Sequence, residues 1–346
     1  MKDYTYSLFK DRKEYSDVIP IPQDEHPRDI MKIAYSEQFV DCHDYLRAVM
    51  SSNELSERSL LLTTEALGLN AANFTTWAYR RNILEKLQYD FNKELDFVSG
   101  MIRENSKNYQ VWYHRQWVLE KFSNDNIDEL LESERDFIED ILDDDNKNYH
   151  AWQYFRWFVG KFPISKSVQL EFTQKLIDQD LLNNSAWNHR YYVYFDNKMG
   201  SIDEESLVDE IKFVKARILQ SPCNDSSWNY LYGILNYDTK SSTESFLKTP
   251  SKHLDKIRDF IMQLENDPDL SQKCSQFMSF LVDFYVDEMC LLVGDNKTSN
   301  DEQVKKKAIL CKAKVIDLCE TLQCEVDKIR ENYWLYRKKQ IETIVI

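Results

Sequence analysis

Six of the eight tryptophans in this chain stand in one repeating frame, and that frame limits what the rest can fold into. Lys107-Asn108-Tyr109-Gln110-Val111-Trp112 is answered forty positions later by Lys147-Asn148-Tyr149-His150-Ala151-Trp152. Looser copies end at Trp77, Trp187, Trp228 and Trp334, and an Arg stands three residues past the Trp at Arg80, Arg115, Arg190 and Arg337. Leu231 replaces it once, and Phe155 takes its place in the third copy, with Arg156 beside it. The Trp-to-Trp spacings are 35, 40, 35 and 41 residues, then 106. A short pattern recurring at such intervals marks a repeat array in which no unit buries its apolar face alone.

The units are helical hairpins. Each begins with an apolar stripe at three- and four-residue spacing, such as Leu95, Val98 and Ile102, or Phe137, Ile138, Ile141 and Leu142. A polar link follows, and a second helix starts at the Asn, whose side-chain oxygen suits an N-cap. Trp and Arg then fall on roughly one face of that helix. The Trp reads as a packing anchor between hairpins, and the Arg as a planar fork for carbonyls or carboxylates between repeats. Displacing the Arg to position 156 rotates it by about 100°, which breaks its usual contact. Six Gly and seven Pro in 346 residues favour long helices over tight turns.

Ahead of the array lies an extended tail, residues 1–28, with Pro20, Pro22 and Pro27. A single repeat domain is expected from residue 29 to 346. Ser56-Glu57 should start a helix that Gly68 stops. Thr239 to Pro250 reads as a flexible insertion and Leu291 to Gln303 as a polar connection. The last hairpin should run Val304 to Leu322 and Lys328 to Ile341.

Several function classes fall away. A net charge of −15 is a poor match to nucleic acid, whose phosphates call for clustered Lys and Arg. Seven Cys without a Cys-x-x-Cys pair and six scattered His give neither a zinc spacing nor a disulfide framework, and fit a reducing compartment, the cytoplasm. No apolar run approaches the roughly 18 residues of a membrane span, so stable membrane insertion is not expected.

The frame differs from a tetratricopeptide array, whose period is about 34 residues. It resembles the α subunits of protein prenyltransferases, and within them the branch common to protein farnesyltransferase and type I geranylgeranyltransferase. The stretches that carry the likeness include Leu69 to Asn73, Lys107 to Trp112, Lys147 to Trp152, Asn183-Asn184-Ser185 and Ser227 to Leu231. It runs from about Tyr15 to Ile341. The resemblance implies an all-α fold: a right-handed, crescent-shaped solenoid of stacked antiparallel hairpins around a β subunit. It also implies an enzyme moving a farnesyl or geranylgeranyl group from its diphosphate to the Cys of C-terminal CaaX motifs on proteins such as small GTPases. Zinc would belong to the β subunit, and magnesium to the farnesyl reaction.

A cation beside a helix N-terminus makes an anion site from its charge, the free amides and the dipole. The resemblance gives Lys107 the part of stabilising the diphosphate leaving group, as charge gathers there in the transition state. Tyr109 and Tyr149 would line the same cleft, His150 would approach the diphosphate, and Gln110 would hold the peptide carboxylate. Read without the resemblance, Lys107 is a solvated link residue and the tyrosines are packing. Lys147 occupies the same phase and is given no role. Other readings are the α subunit of Rab geranylgeranyltransferase and a non-catalytic repeat scaffold.

Overall fold

The protein is described by a computed structural model covering residues 7–24, 33–122, 127–195, 202–237, 250–299, 301–344 and 346. Every regular element among them is helical. They form two compact units, Met1–Pro163 and Ile164–Ile346.

The first unit holds α1 (Glu37–Ser51), α2 (Glu57–Leu69), α3 (Phe74–Leu87), α4 (Phe91–Glu104), α5 (Tyr109–Phe122), α6 (Ile127–Asp144) and α7 (Tyr149–Lys161). The pairs α2/α3, α4/α5 and α6/α7 are hairpins, and α3 packs on α5 and α5 on α7. The second unit holds α8 (Lys166–Gln179) with α9 (Asn184–Phe195), and α10 (Glu204–Gln220) with α11 (Asp225–Leu235). Then come α12 (Arg258–Glu265), α13 (Pro268–Lys273), α14 (Ser275–Ser299), α15 (Glu302–Thr321) and α16 (Glu331–Glu342).

The repeated residues build one joint several times over. Asn73, Asn148 and Asn224 cap α3, α7 and α11, accepting first-turn amides, and Asn108 and Asn183 do the same at α5 and α9. Each Trp indole N–H donates to the carbonyl six residues earlier: Trp77 to Ala71, Trp112 to Ser106, Trp152 to Asn146, Trp187 to Leu181 and Trp228 to Pro222, all at 2.7–3.0 Å. The indole therefore ties the link to the helix that follows it, besides filling space between hairpins. Where the pattern fades, Trp334 donates instead to the Asp327 carboxylate at 2.8 Å.

The Arg makes the joint between repeats. Arg80 on α3 forms a fork on Glu94 of α4 at 2.8 and 2.7 Å, and its remaining nitrogen reaches Thr63 and Thr64 on α2, each at 2.9 Å. Arg115 repeats this with Glu134 at 2.7 and 2.8 Å, and Arg190 with Glu210 at 2.9 and 2.6 Å. These pairs are buried. In the third copy Phe155 is buried and Arg156 exposed, so the neighbouring Arg does not take over the place.

Three expectations need correction. Residues 7–17 are not an extended tail: they form two 3-10 turns whose Phe9 and Tyr15 are buried in the core with Tyr45 and Leu60. Tyr15 donates to the Arg58 carbonyl at 2.7 Å, so burial of two aromatic rings outweighs the freedom of a charged terminus. Only the proline-bearing stretch beyond runs along α1, held by Ile21 N–H to Asp44 O at 3.1 Å and Arg47 to Ile21 O at 2.8 Å. Next, α2 continues through Gly68 to Leu69, and no described glycine has a positive φ, so Gly68 is not a left-handed cap. Third, Leu291 to Gln303 is mostly helix, because α14 continues to Ser299 before α15 starts at Glu302. The tail boundary at residue 28 and the insertion at 239–249 lie outside the described residues.

Candidate functional site

Lys107, Tyr109, Gln110, Tyr149 and His150 all fall at the starts of two neighbouring helices, α5 and α7. The two starts are tied together. Asn148 accepts the amides of His150 and Ala151 through its oxygen and donates through its nitrogen to Ser106 O at 3.3 Å, the carbonyl that also takes the Trp112 indole N–H. In the second unit Asn224 does the same to Leu181 O at 2.6 Å, so the tie belongs to the repeat and not to the site alone.

On this frame Lys107 is 80% exposed at its side chain, and its Nζ lies 3.4 Å from an Asp145 oxygen in the link before α7. An ion pair this open to water is weakly held, which leaves the ammonium free to exchange partners. Tyr109 and Tyr149 are 63% and 71% exposed. The Tyr149 ring meets His150 edge-on at a centroid distance of 5.5 Å. The structure thus brings Tyr149 to His150 and Lys107 to Asp145, while Gln110 is half-buried on the same turn as Tyr109.

Three of the expected free amides are taken. Asn108 takes the Gln110 amide at 2.9 Å, and Asn148 takes the His150 and Ala151 amides of α7. An anion here would be met by side chains and by the helix dipoles, with no open amide nest among those three groups.

One ring escaped the sequence reading. Phe74, the first residue of α3, is 70% exposed and occupies the same place as Tyr109 and Tyr149. The signal lies in the residue after each capping Asn: an exposed aromatic in the first three copies, then Asn184 and Asp225. Tyr113, one turn beyond Tyr109, adds an exposed ring with the Arg81 guanidinium 5.3 Å from its centroid. Among the described residues no group of three or more His, Cys, Asp or Glu could hold a metal ion, and no helix is long and apolar enough to cross a membrane.

Capping Asn, stapling Trp and forked Arg, in hairpin after hairpin, define a class of α-helical repeat protein. Comparison shows which known repeat four of these hairpins match. The "Protein prenyltransferase alpha subunit repeat" matches residues 56–87, 91–122, 131–162 and 169–195, which are the hairpins from α2/α3 to α8/α9. These four hairpins carry this repeat. The α10/α11 hairpin carries the same cap, staple and Arg190–Glu210 joint without being matched. Among curated proteins, the "Protein farnesyltransferase/geranylgeranyltransferase type-1 subunit alpha" of Pisum sativum is 50% identical over 95 residues, 28% of each chain. That of Solanum lycopersicum is 46% identical over 99 residues, 29% of each. These matches span less than a third of the relatives' own length. A chain of the Candida albicans protein geranylgeranyltransferase-I complexed with GGPP is similar throughout, with a TM-score of 0.77 and 29% identity over 98% of this chain and 100% of that one.

Proposed function

We propose that this chain is the α subunit of a heterodimeric protein prenyltransferase that moves farnesyl or geranylgeranyl from its diphosphate to the Cys of a C-terminal CaaX motif. The observation that carries the reading is the pair of tied helix starts presenting a solvent-facing lysine beside exposed rings. Lys107 is the group that meets the diphosphate. As the carbon–oxygen bond breaks, negative charge collects on the leaving oxygen, and a fixed ammonium stabilises that state more than the intact substrate. The N-terminal dipoles of α5 and α7 act in the same sense. Asp145 holds Lys107 in the resting chain and yields it to the more highly charged diphosphate. His150 approaches the same anion, Tyr109 and Tyr149 with Phe74 supply ring surface, and Gln110 receives the peptide carboxylate.

A β subunit would complete the site and hold the zinc that would lower the thiol's pKa, and magnesium would add positive charge at the diphosphate in the farnesyl reaction. Two relatives are named for both farnesyl and geranylgeranyl transfer and a solved neighbour is named with GGPP, which supports an isoprenoid diphosphate as substrate. The test is co-expression with a prenyltransferase β subunit and transfer of labelled farnesyl or geranylgeranyl diphosphate to a CaaX peptide. Lys107→Ala should lower turnover on the order of 10²-fold, as loss of one charge-stabilising donor does, with isoprenoid binding retained. An inert pair, or full activity in the variant, would remove the assignment.

A further inference from the structure

Cys223 and Cys274 belong neither to the Arg–Glu joints nor to the α5/α7 helix starts. Cys223 is exposed in the link between α10 and α11, and Cys274 is buried where α13 passes into α14. Their sulfurs stand 2.9 Å apart. A covalent S–S bond is about 2.05 Å, so closure requires the sulfurs to approach by only about 0.9 Å. The approach is framed from both sides. Cys274 Sγ contacts Pro222 O at 3.4 Å, and that oxygen also accepts the Trp228 indole N–H at 2.7 Å. The repeat's own staple therefore holds the link that carries one sulfur against the sulfur of the other.

We propose that Cys223 and Cys274 are a site of reversible disulfide formation, with Cys223 meeting the oxidant and Cys274 resolving it. The division of labour follows from exposure: water-borne peroxide reaches Cys223, while burial and the neighbouring Cys223 push the Cys274 thiol up to about 12 and keep it protonated. Hydrogen peroxide takes the Cys223 thiolate to a sulfenic acid with release of hydroxide. The Cys274 sulfur then attacks that sulfur, the S–O bond breaks, and the thiol proton leaves with the hydroxyl as water. A dithiol reductant reverses the bond by exchange. The disulfide would fasten the start of α11 to the junction of α13 and α14.

Among the other thiols Cys42, Cys290, Cys311 and Cys319 are buried or half-buried and pushed up by burial, which leaves exposed Cys324 as an internal control. The full chain, co-purified with its partner where it needs one, is treated with low hydrogen peroxide, blocked, and mapped by mass spectrometry without reduction. A peptide joined through Cys223 and Cys274, lost on adding dithiothreitol, is the expected result. Two titratable thiols should disappear per chain in Cys324→Ser. Cys223→Ser, a change at an exposed position, should abolish the bridge and leave Cys274 unmodified. The proposal is overturned if Cys324 oxidises while Cys223 and Cys274 stay unjoined, if Cys223 proceeds to sulfinic acid with Cys274 still free, or if Cys274 oxidises equally fast in Cys223→Ser.

Discussion

The joints around Glu94 and Glu134 share an Arg fork and differ in the third group on the carboxylate. At Glu94 it is His114, with Nε2 at 2.7 Å; at Glu134 it is the Tyr154 hydroxyl at 2.5 Å. Tyr230 repeats the tyrosine version on Glu210 at 2.6 Å. Each donor stands two residues past its Trp, and each Glu stands eighteen before it. A buried carboxylate needs one cation and a neutral donor; a second cation would leave excess charge out of water. Tyrosine is neutral by default, and burial lifts its pKa well above the usual value. Histidine must be kept neutral by its surroundings, and burial does so, drawing His114 down to about 4. The same joint is therefore insensitive to pH in one repeat and sensitive in the other.

The largest effect should come from breaking a fork. Glu134→Gln leaves Arg115 charged and buried, with the Ser99 hydroxyl at 2.7 Å and the Phe137 ring in place of a carboxylate. Breaking a buried pair costs about 3–5 kcal/mol. Glu94→Gln should cost less, because Arg80 keeps Thr63, Thr64 and Leu60 O. The chain itself contains the remedy. In the frame of the repeat, Phe155 holds the Arg position and Gln169, eighteen residues before Trp187, the Glu position. Charge is lost from both places together. Arg115→Phe with Glu134→Gln should accordingly recover most of the stability lost in Glu134→Gln alone, measured by urea unfolding. A double variant as unstable as the single one would show that the fork does more than neutralise itself.

Acid separates the His joint from the Tyr joint next. His114 binds its proton near 6.5 when unfolded and near 4 when folded, so the unfolded chain holds more protons between those values. Its contribution is complete above pH 6.5 and is lost as pH falls toward 4, up to about 3 kcal/mol. Glu94 would be raised by burial, but His114 and Arg80 hold it below its usual value, so its own contribution fades only at lower pH. His114→Tyr, the residue the other joints use, should flatten the loss of Tm between pH 6.5 and 4.5. An unchanged slope would place the sensitivity elsewhere, at His43 for example, whose pKa burial also lowers.

How legible this was in the sequence depends on whether the partner is local. The Asn caps followed from one residue and its neighbours, and all five are seen. The Arg was expected to grip carbonyls or carboxylates, but its Glu lies 14, 19 or 20 residues away and a varying link hides the period. Aligned on the following Trp, the Glu positions coincide, and the Phe155 copy becomes a neutral substitution where the sequence showed only a displaced Arg. Lys107 does stand beside a helix start, yet the Gln110 amide of that start is held by the Asn that made it recognisable. Phe9 and Tyr15 were missed because their burial is against α1 and α2, which no local pattern reports.

A smaller effect belongs to the cap that ties the site together. Asn148→Ala removes the acceptor for two amides and the donor to Ser106 O. A lost cap costs about 1 kcal/mol, with an upper end near 2. Asn148→Asp should restore the cap, because a carboxylate accepts both amides and suits the helix dipole. It cannot donate to Ser106 O, so any shortfall against the native chain measures the tie between α5 and α7.

The smallest stability change is expected at Lys107. Its side chain is mostly in water and its pair with Asp145 is open to solvent, so Lys107→Ala should shift unfolding by no more than about 0.5 kcal/mol. The forks and caps fix the helices whatever stands at this position, so the fold gives no reason for a lysine there. If Lys107→Ala leaves the urea midpoint in place and removes turnover, the residue belongs to the reaction. Should the midpoint fall as far as in Asn148→Ala, Lys107 would be part of the tie between the links, and its proposed part in the reaction would be withdrawn.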